Sequence, residues 1–199
     1  MAWKAENTLP TGYICLSSID LIKNKKELRL VTLLSVVLAV GTALWGFLRA
    51  PIQQTFVLEP HWNLIAKLCL TAAFMLVYLV GHEAVHGVMM WAVSRVRPHF
   101  GFSLMYAYAG SEVYFGKLAY LTIALAPVVV WGVLLEVICA VLPTDWFWVC
   151  FATQVFNLSG AAGDFYVVYR VSRMPSDVLV KDTGTSMTAY SKPKASVQA

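Results

Sequence analysis

The chain has 199 residues, of which 59% are hydrophobic and only 13% are charged. Soluble domains carry about 25% charged residues, so this composition predicts an integral membrane protein with room for about four spans. The net charge of +4 is not gathered into a basic patch interleaved with aromatic residues, which argues against nucleic-acid binding.

Four apolar segments follow one another along the chain and predict an all-α polytopic membrane protein. About four transmembrane helices are predicted, at residues 30–48, 64–93, 118–142 and 146–171. They form one four-span membrane domain over residues 30–172. An N-terminal arm, 1–29, precedes this domain, and a partly disordered C-terminal tail, 173–199, follows it.

Lysine and arginine are distributed unevenly over the connections between these spans. Thirteen of them lie in the arm, in the connection 95–117 and at the C-terminal end, and only Arg49 and Lys67 fall on the other side. By the positive-inside rule, both termini are cytoplasmic, which agrees with an even number of spans. We therefore expect an integral protein of a prokaryotic plasma membrane, although this topology would suit an organelle membrane equally.

The connection between the second and third predicted spans carries two aromatic-rich runs, 97–108 and 113–115, around Gly110-Ser111. Two such runs on either side of a turn predict a β-hairpin at the membrane surface. Its exposed edge could bind an extended substrate by strand addition. A loop packed over the helix ends is the alternative.

The sequence His82-Glu83-Ala84-Val85-His86 lies inside the second predicted span. Histidines four residues apart lie on one face of a helix, so both imidazoles can reach a single Zn²⁺, and the adjacent glutamate can act as a general base. Ionisable groups at membrane depth are costly and usually functional, which favours a membrane-embedded zinc hydrolase. A structural histidine pair, a proton relay and a transport site are the alternatives.

A catalytic zinc generally takes a third protein ligand, for which the predicted spans offer Asp164 or Glu136. His82 and Asp164 each lie 18 residues beyond the outer ends of spans that run in the same direction. Both are therefore about 27 Å below the outer interface. Glu136 lies on a span of opposite direction and falls toward the outer face. Asp164 is therefore the better predicted ligand.

Two further residues of the fourth predicted span bear on this assignment. The alternative to metal binding for Asp164 is a helix-packing carboxylate paired with Arg170 or with a serine. Asn157 lies seven residues before Asp164, two helical turns away on the same predicted face. It could bind the substrate backbone or stabilise an oxyanion, and an interhelical hydrogen bond would explain it equally well.

The histidine motif followed by Asp164 on a later parallel span resembles the site-2-type intramembrane zinc metalloproteases. More closely, Gly-His-Glu-Ala-Val-His-Gly at 81–87, Leu-Ala-Pro at 125–127 and Asn-Leu-Ser-Gly-Ala-Ala-Gly-Asp at 157–164 resemble the small four-helix membrane proteins described as putative zincin peptidases. The resemblance covers about residues 30–182. The site-2 pattern usually has a proline between its Asn and Asp and a glycine after the Asp, whereas Phe165 follows here.

This resemblance implies zinc ligation by His82, His86 and Asp164, with Glu83 activating a water for peptide-bond hydrolysis. The expected partners are then the lipid bilayer and a membrane-protein or peptide substrate. A metal or proton transporter would use the same residues as transit ligands. A non-catalytic scaffold would bind a partner through the tail, and a zinc hydrolase of non-peptide substrates is a further alternative.

Overall fold

A computed structural model describes residues 3–20, 23–57, 60–102 and 107–193 of the chain. The chain divides into two compact units, which are named here by their contents. The sheet unit comprises Met1–Leu28, Glu83–Ala126 and Phe165–Ala199. The helical unit comprises Arg29–His82 and Pro127–Asp164.

Helices make up most of the chain that the structure describes. They are α1 (Lys25–Arg49), α2 (Ile52–Thr55), α3 (His61–Ser94), α4 (Lys117–Val141), α5 (Phe147–Gly160) and α6 (Ala162–Ser172). Within the described ranges, α1, α3 and α4 are long and apolar enough to cross a membrane. They coincide with the first three predicted spans and are consistent with a membrane protein.

The fourth predicted span is divided into two helices and is not among these three. At Ala161 the backbone leaves the helical conformation, with φ −78° and ψ 11°, and its N–H bonds to the carbonyl oxygens of Asn157 and Ser159. Glycines on either side, Gly160 and Gly163, are poor helix formers and favour an interruption there. The prediction that Asn157 and Asp164 share one helix face assumed a continuous helix. The interruption at Ala161 removes that assumption.

The chain is mostly helical, as predicted, but it is not purely all-α, because the described residues also contain seven β-strands. They are β1 (Ala5–Glu6), β2 (Ile14–Ile19), β3 (His99–Phe102), β4 (Ala107–Gly110), β5 (Tyr114–Gly116), β6 (Leu179–Asp182) and β7 (Met187–Ser191). Five of them form one antiparallel sheet in the order β1-β5-β6-β7-β2. These strands have six residues or fewer, and β2 pairs with a strand about 170 residues away, so local periodicity does not reveal them.

The predicted hairpin between α3 and α4 is present, but Gly110-Ser111 does not join its two strands. Strands β3 and β4 pair antiparallel, from His99 opposite Gly110 to Phe102 opposite Ala107. Gly110 is thus the last residue of β4 and does not form a turn with Ser111. Residues 103–106, between the two strands, lie outside the described residues. The segment predicted as the second strand is β5, which pairs with β1 and β6 instead.

The N-terminal arm and the C-terminal tail both contribute strands to the sheet unit. The tail, predicted to be partly disordered, contains β6 and β7, and its residues 194–199 lie outside the described residues. Phe115, Leu179 and Ala189 are completely buried in this unit. An ion pair joins Glu112 to Lys181 of β6, and the hydrogen bond and charge of the ammonium lower the pKa of Glu112.

Polar side chains fix two helix ends in the sheet unit. The Asn24 side chain accepts a hydrogen bond from the backbone N–H of Glu27 at 3.3 Å and so caps the start of α1. The buried Lys117 ammonium donates to the carbonyl oxygens of Ser172 and Met174 at 2.8 and 2.6 Å. A cation there satisfies carbonyls that the end of α6 leaves without helical partners.

The helical unit has its own apolar core between α4 and α5. Its buried members are Ala50, Leu135, Cys139, Phe147, Trp148, Cys150 and Phe151. The Trp148 indole donates to the carbonyl oxygen of Ala50 at 2.8 Å, which holds the end of α1 against α5. Beside this core, Nη1 of Arg49 donates to both carboxylate oxygens of Glu136, at 2.7 and 2.8 Å, and so forms an ion pair. The carboxylate of Glu136 therefore has a structural partner within its own unit.

A second buried lysine holds together the loops of the helical unit. Lys67 is 4% exposed, and its ammonium donates to the carbonyl oxygens of Thr55 at 2.9 Å and Asp145 at 2.7 Å. The same ammonium lies 5.1 Å from the ring centroid of Trp146. These contacts tie α3 to α2 and to the 3₁₀ turn Thr144–Trp146 that precedes α5.

We expect Lys67→Met to lower the stability of the folded protein by roughly 2–5 kcal/mol, because it removes the donor to the carbonyl oxygens of Thr55, which is buried, and of Asp145, whose bond is partly buried. Lys23→Met is the matched control. Lys23 is 85% exposed and forms a surface ion pair with Asp20 at 3.1 Å, so its loss should cost less than about 1 kcal/mol. Thermal unfolding of both variants in the same detergent measures the difference. Equal unfolding temperatures would contradict a structural role for Lys67.

Candidate metal centre

The histidine motif lies on α3, which is continuous from His61 to Ser94. Because the helix is unbroken, the side chains of His82 and His86 lie on the same face, one turn apart. Glycines flank the motif where other groups pack closely. A Cβ atom at Gly81 would overlap the ring of Trp131, and one at Gly87 would overlap the ring of Phe100.

His82 is buried and has a polar group at each ring nitrogen. Its Nδ1 lies 2.8 Å from the Tyr78 hydroxyl, one helical turn earlier on α3. Its Nε2 lies 3.3 Å from Oδ2 of Asp164. The structure therefore brings together two of the residues that the sequence predicts as metal ligands, although they are far apart in the chain.

His86 has its ring orientation fixed by the backbone of α4. Its Nδ1 lies 3.0 Å from the carbonyl oxygen of Ile123. A carbonyl can only accept, so Nδ1 carries the proton and the lone pair of the neutral ring is on Nε2. A hydrogen bond of this kind at one nitrogen is the usual arrangement when the other nitrogen binds a metal.

Asp164 lies in the first turn of α6, where the helix dipole stabilises a carboxylate. Its side chain is 21% exposed. Arg170, considered above as an alternative partner for this carboxylate, instead donates to Glu27 at 2.9 Å and to the Tyr166 hydroxyl at 2.7 Å. The guanidinium is thus engaged within the sheet unit.

Glu83 points toward the hairpin of β3 and β4. Its Oε2 accepts a hydrogen bond from the backbone N–H of Ala109 on β4 at 2.8 Å. A bond between an N–H and a carboxylate is among the stronger hydrogen bonds in proteins. The carboxylate is therefore held in one orientation while remaining partly accessible.

Asn157 is fully buried in the helical unit, between α4 and α5. Its Nδ2 lies 3.4 Å from the carbonyl oxygen of Val128 and 3.2 Å from Oε1 of Gln154. Its Oδ1 is buried and has no hydrogen-bond partner among the described residues. These are the contacts of an interhelical amide, the second of the two explanations considered for this residue.

Glu136, the other candidate for the third ligand, and the two histidines outside the motif have different surroundings. Glu136 is paired with Arg49, as described above. His99 lies on β3, where its Nε2 is 3.3 Å from the carbonyl oxygen of Thr183. His61 begins α3, twenty-one residues before His82.

Sequence reasoning missed the groups that orient the histidines and Glu83. Tyr78 could have been found, because it precedes His82 by four residues and so extends the same helix face. The carbonyl oxygen of Ile123 and the N–H of Ala109 could not have been found, because every residue type except proline offers both groups. Only the fold determines which of them meets a side chain.

A comparison with known proteins identifies a family whose description agrees with a metal site at these residues. The family described as "Putative zincin peptidase" matches residues 74–179, which include the whole histidine motif and Asp164. No curated protein and no solved structure matches the chain. The family match covers more than half of the 199 residues, so the chain belongs to the zincin-peptidase family that bears this description.

Proposed function

We propose that this protein is an intramembrane zinc metalloprotease that cleaves membrane-spanning or membrane-proximal segments of its substrates. Membership of the family supports a zinc metallopeptidase. The observation that carries the proposal is the approach of Asp164 to His82, with His86 one turn further along the same helix face. His82, His86 and Asp164 would each supply one ligand atom to the metal.

The distance between His82 and Asp164 fits a shared zinc better than a direct hydrogen bond. Two ligand atoms that each lie about 2.0–2.1 Å from a tetrahedral zinc are about 3.3–3.4 Å apart. The observed separation of Nε2 and Oδ2 is 3.3 Å. A charge-assisted hydrogen bond between an imidazolium and a carboxylate would be nearer 2.7–2.9 Å.

Zinc bound by these residues would polarise the scissile carbonyl and make a water nucleophilic near neutral pH. Glu83 is the base we assign to this reaction. Its carboxylate takes a proton from the attacking water and returns it to the leaving amine. The N–H of Ala109 holds one oxygen of that carboxylate, so the side chain does not have to be ordered during the reaction.

The pairing of strands supports a common side of the membrane for both ends of the chain. Strand β2 of the arm pairs with β7 of the tail, and β1 of the arm pairs with β5, which precedes α4. A single sheet cannot extend through a bilayer, because its exposed edges would lack hydrogen-bond partners in lipid. We propose that α5 and α6 together make the fourth crossing and that the shared side is cytoplasmic.

This arrangement favours substrates that can present an extended segment. A helical substrate hides its backbone carbonyls in internal hydrogen bonds and must unwind before one of them can be attacked. The hairpin of β3 and β4 lies beside Glu83 and offers a strand edge for such a segment. Single-span membrane proteins are therefore the proposed substrate class.

Metal removal tests the proposal. Protein purified without chelator should contain about one zinc per chain by mass spectrometry. Reconstituted with a panel of single-span proteins, it should cleave at least one of them. Chelation should stop cleavage, and added zinc should restore it. Ion flux without cleavage would favour a transporter, and protein that neither contains nor takes up metal would favour a scaffold.

A further inference from the structure

The turn between β6 and β7, residues 183–186, lies against the strand that holds Glu83. The backbone N–H of Ser111, just after β4, donates to the carbonyl oxygen of Asp182 at 2.7 Å. His99 on β3 lies 3.3 Å from the carbonyl oxygen of Thr183. The end of β6 and the turn that follows it thus contact β3 and the residue just after β4, within the sheet unit.

Gly184 marks the closest approach of this turn to β4. A Cβ atom at this position would overlap the ring of Tyr108 and lie 3.0 Å from the carbonyl oxygen of Ala109. The φ angle of Gly184 is +79°, a conformation that favours glycine. A side chain here would therefore press on the residue whose N–H binds Glu83.

The turn is itself rigidly held, so it can fix the position of what packs on it. One carboxylate oxygen of Asp182 accepts the N–H of Gly184 at 2.8 Å. The other accepts the Tyr120 hydroxyl from α4 at 2.7 Å. The N–H of Thr183 donates across the turn to the carbonyl oxygen of Ser186 at 3.0 Å.

Strand β4 can pass this restraint on to Glu83. In an antiparallel pair, every second residue directs its N–H away from the partner strand. Ala109, which lies opposite Phe100, directs its N–H to Oε2 of Glu83. A shift of β4 along or away from α3 would therefore lengthen this hydrogen bond directly.

We infer that the β6–β7 turn is a positioning element for the active-site glutamate, with Gly184 as its positioning residue. The turn holds β4 in place, and β4 orients the carboxylate of Glu83 through the N–H of Ala109. This inference rests on the proposed function in giving Glu83 a catalytic role. It assigns the C-terminal strands, about a hundred residues beyond the motif, to the catalytic machinery.

Two glycines of the sheet unit provide a matched test. Gly12 has a φ angle of +83°, nearly that of Gly184, but nothing lies within 4 Å of the position of its Cβ atom. Gly12→Ala and Gly184→Ala therefore impose similar backbone strain, and only Gly184→Ala presses on β4. We expect Gly184→Ala to lower kcat about 10- to 100-fold with KM and zinc content unchanged, and Gly12→Ala to leave kcat near the wild-type value.

A spectroscopic measurement makes the test independent of cleavage. With ¹⁵N-alanine labelling, the amide proton of Ala109 should resonate downfield because it bonds to a carboxylate. It should move upfield in Glu83→Ala and in Gly184→Ala, and stay in place in Gly12→Ala. Should Gly184→Ala fail to fold, Asp182→Asn perturbs the same turn by a smaller change and should move the same resonance.

The inference is overturned if Gly184→Ala leaves both kcat and the Ala109 resonance at their Gly12→Ala values. It is also overturned if the resonance does not respond to Glu83→Ala, which removes the acceptor altogether, because the amide would then not be bound to that carboxylate. If the wild-type protein neither contains zinc nor cleaves a substrate, that result would instead contradict the proposed function. The resonance would still report whether the turn positions Glu83.

Discussion

Glu83→Gln is expected to reduce kcat for peptide cleavage by roughly 10²- to 10⁴-fold, the usual contribution of a general base. The amide has nearly the shape of the carboxylate but cannot take a proton from the attacking water. Its oxygen can still accept the N–H of Ala109, so the surrounding structure should be preserved. Because Glu83 is not among the proposed ligands, the zinc content should remain at the wild-type value.

Glu136→Gln is the control for the same chemical change elsewhere in the membrane domain. It weakens the ion pair with Arg49 and should lower the unfolding temperature while leaving kcat unchanged. Both variants are measured with one substrate, alongside metal analysis of the same preparations. If Glu83→Gln retains full activity, another group is the base. If it loses zinc, the glutamate is a ligand.

Zinc affinity should fall in a graded series across the proposed centre. His82→Ala removes a ligand and should leave no zinc after dialysis, and Asp164→Asn should bind zinc more weakly than the wild type. Tyr78→Phe removes only the hydroxyl that binds Nδ1 of His82, and such changes typically cost 10- to 100-fold in affinity. His61→Ala, at the start of the same helix, should bind zinc as the wild type does.

Competition against a chelator of known affinity measures the zinc dissociation constants of the four variants and of the wild type. The order matters more than the absolute values, because each variant alters the centre by a different number of bonds. Equal affinity in Asp164→Asn and the wild type would exclude Asp164 as the third ligand. Weakened binding in His61→Ala would show that loss of any histidine disturbs the protein, and the series would then say nothing specific about the centre.

Long apolar runs made the helices predictable from sequence. The predicted spans 30–48, 64–93 and 118–142 correspond to Lys25–Arg49, His61–Ser94 and Lys117–Val141. These apolar runs are longer than a short helix or strand buried in a protein core requires, so their length alone identifies them as candidate membrane-spanning helices. The histidine motif could also be interpreted from the sequence. Its four-residue spacing places both imidazoles on one face only in a helix, and the helix was itself predictable.

The rest of the structure depends on contacts that no local pattern records. Strands such as β2 and β7 owe their existence to each other, across about 170 residues. The interruption at Ala161 replaces one predicted span by two helices, in a segment whose apolar composition is continuous. The contact of Asp164 with His82 was anticipated from an argument about depth, but the helix that carries Asp164 begins only at Ala162.

The pairing of β2 with β7 has a consequence for how the protein is made. Strand β2 leaves the ribosome early, but its partner is synthesised about 170 residues later. At about 5–20 residues per second, the early strand waits roughly 10 to 30 seconds with an unpaired edge. The sheet can close only after the helices have been translated. A nascent chain therefore cannot pair these two strands until β7 has been translated, which would delay any proteolytic activity that depends on the complete sheet.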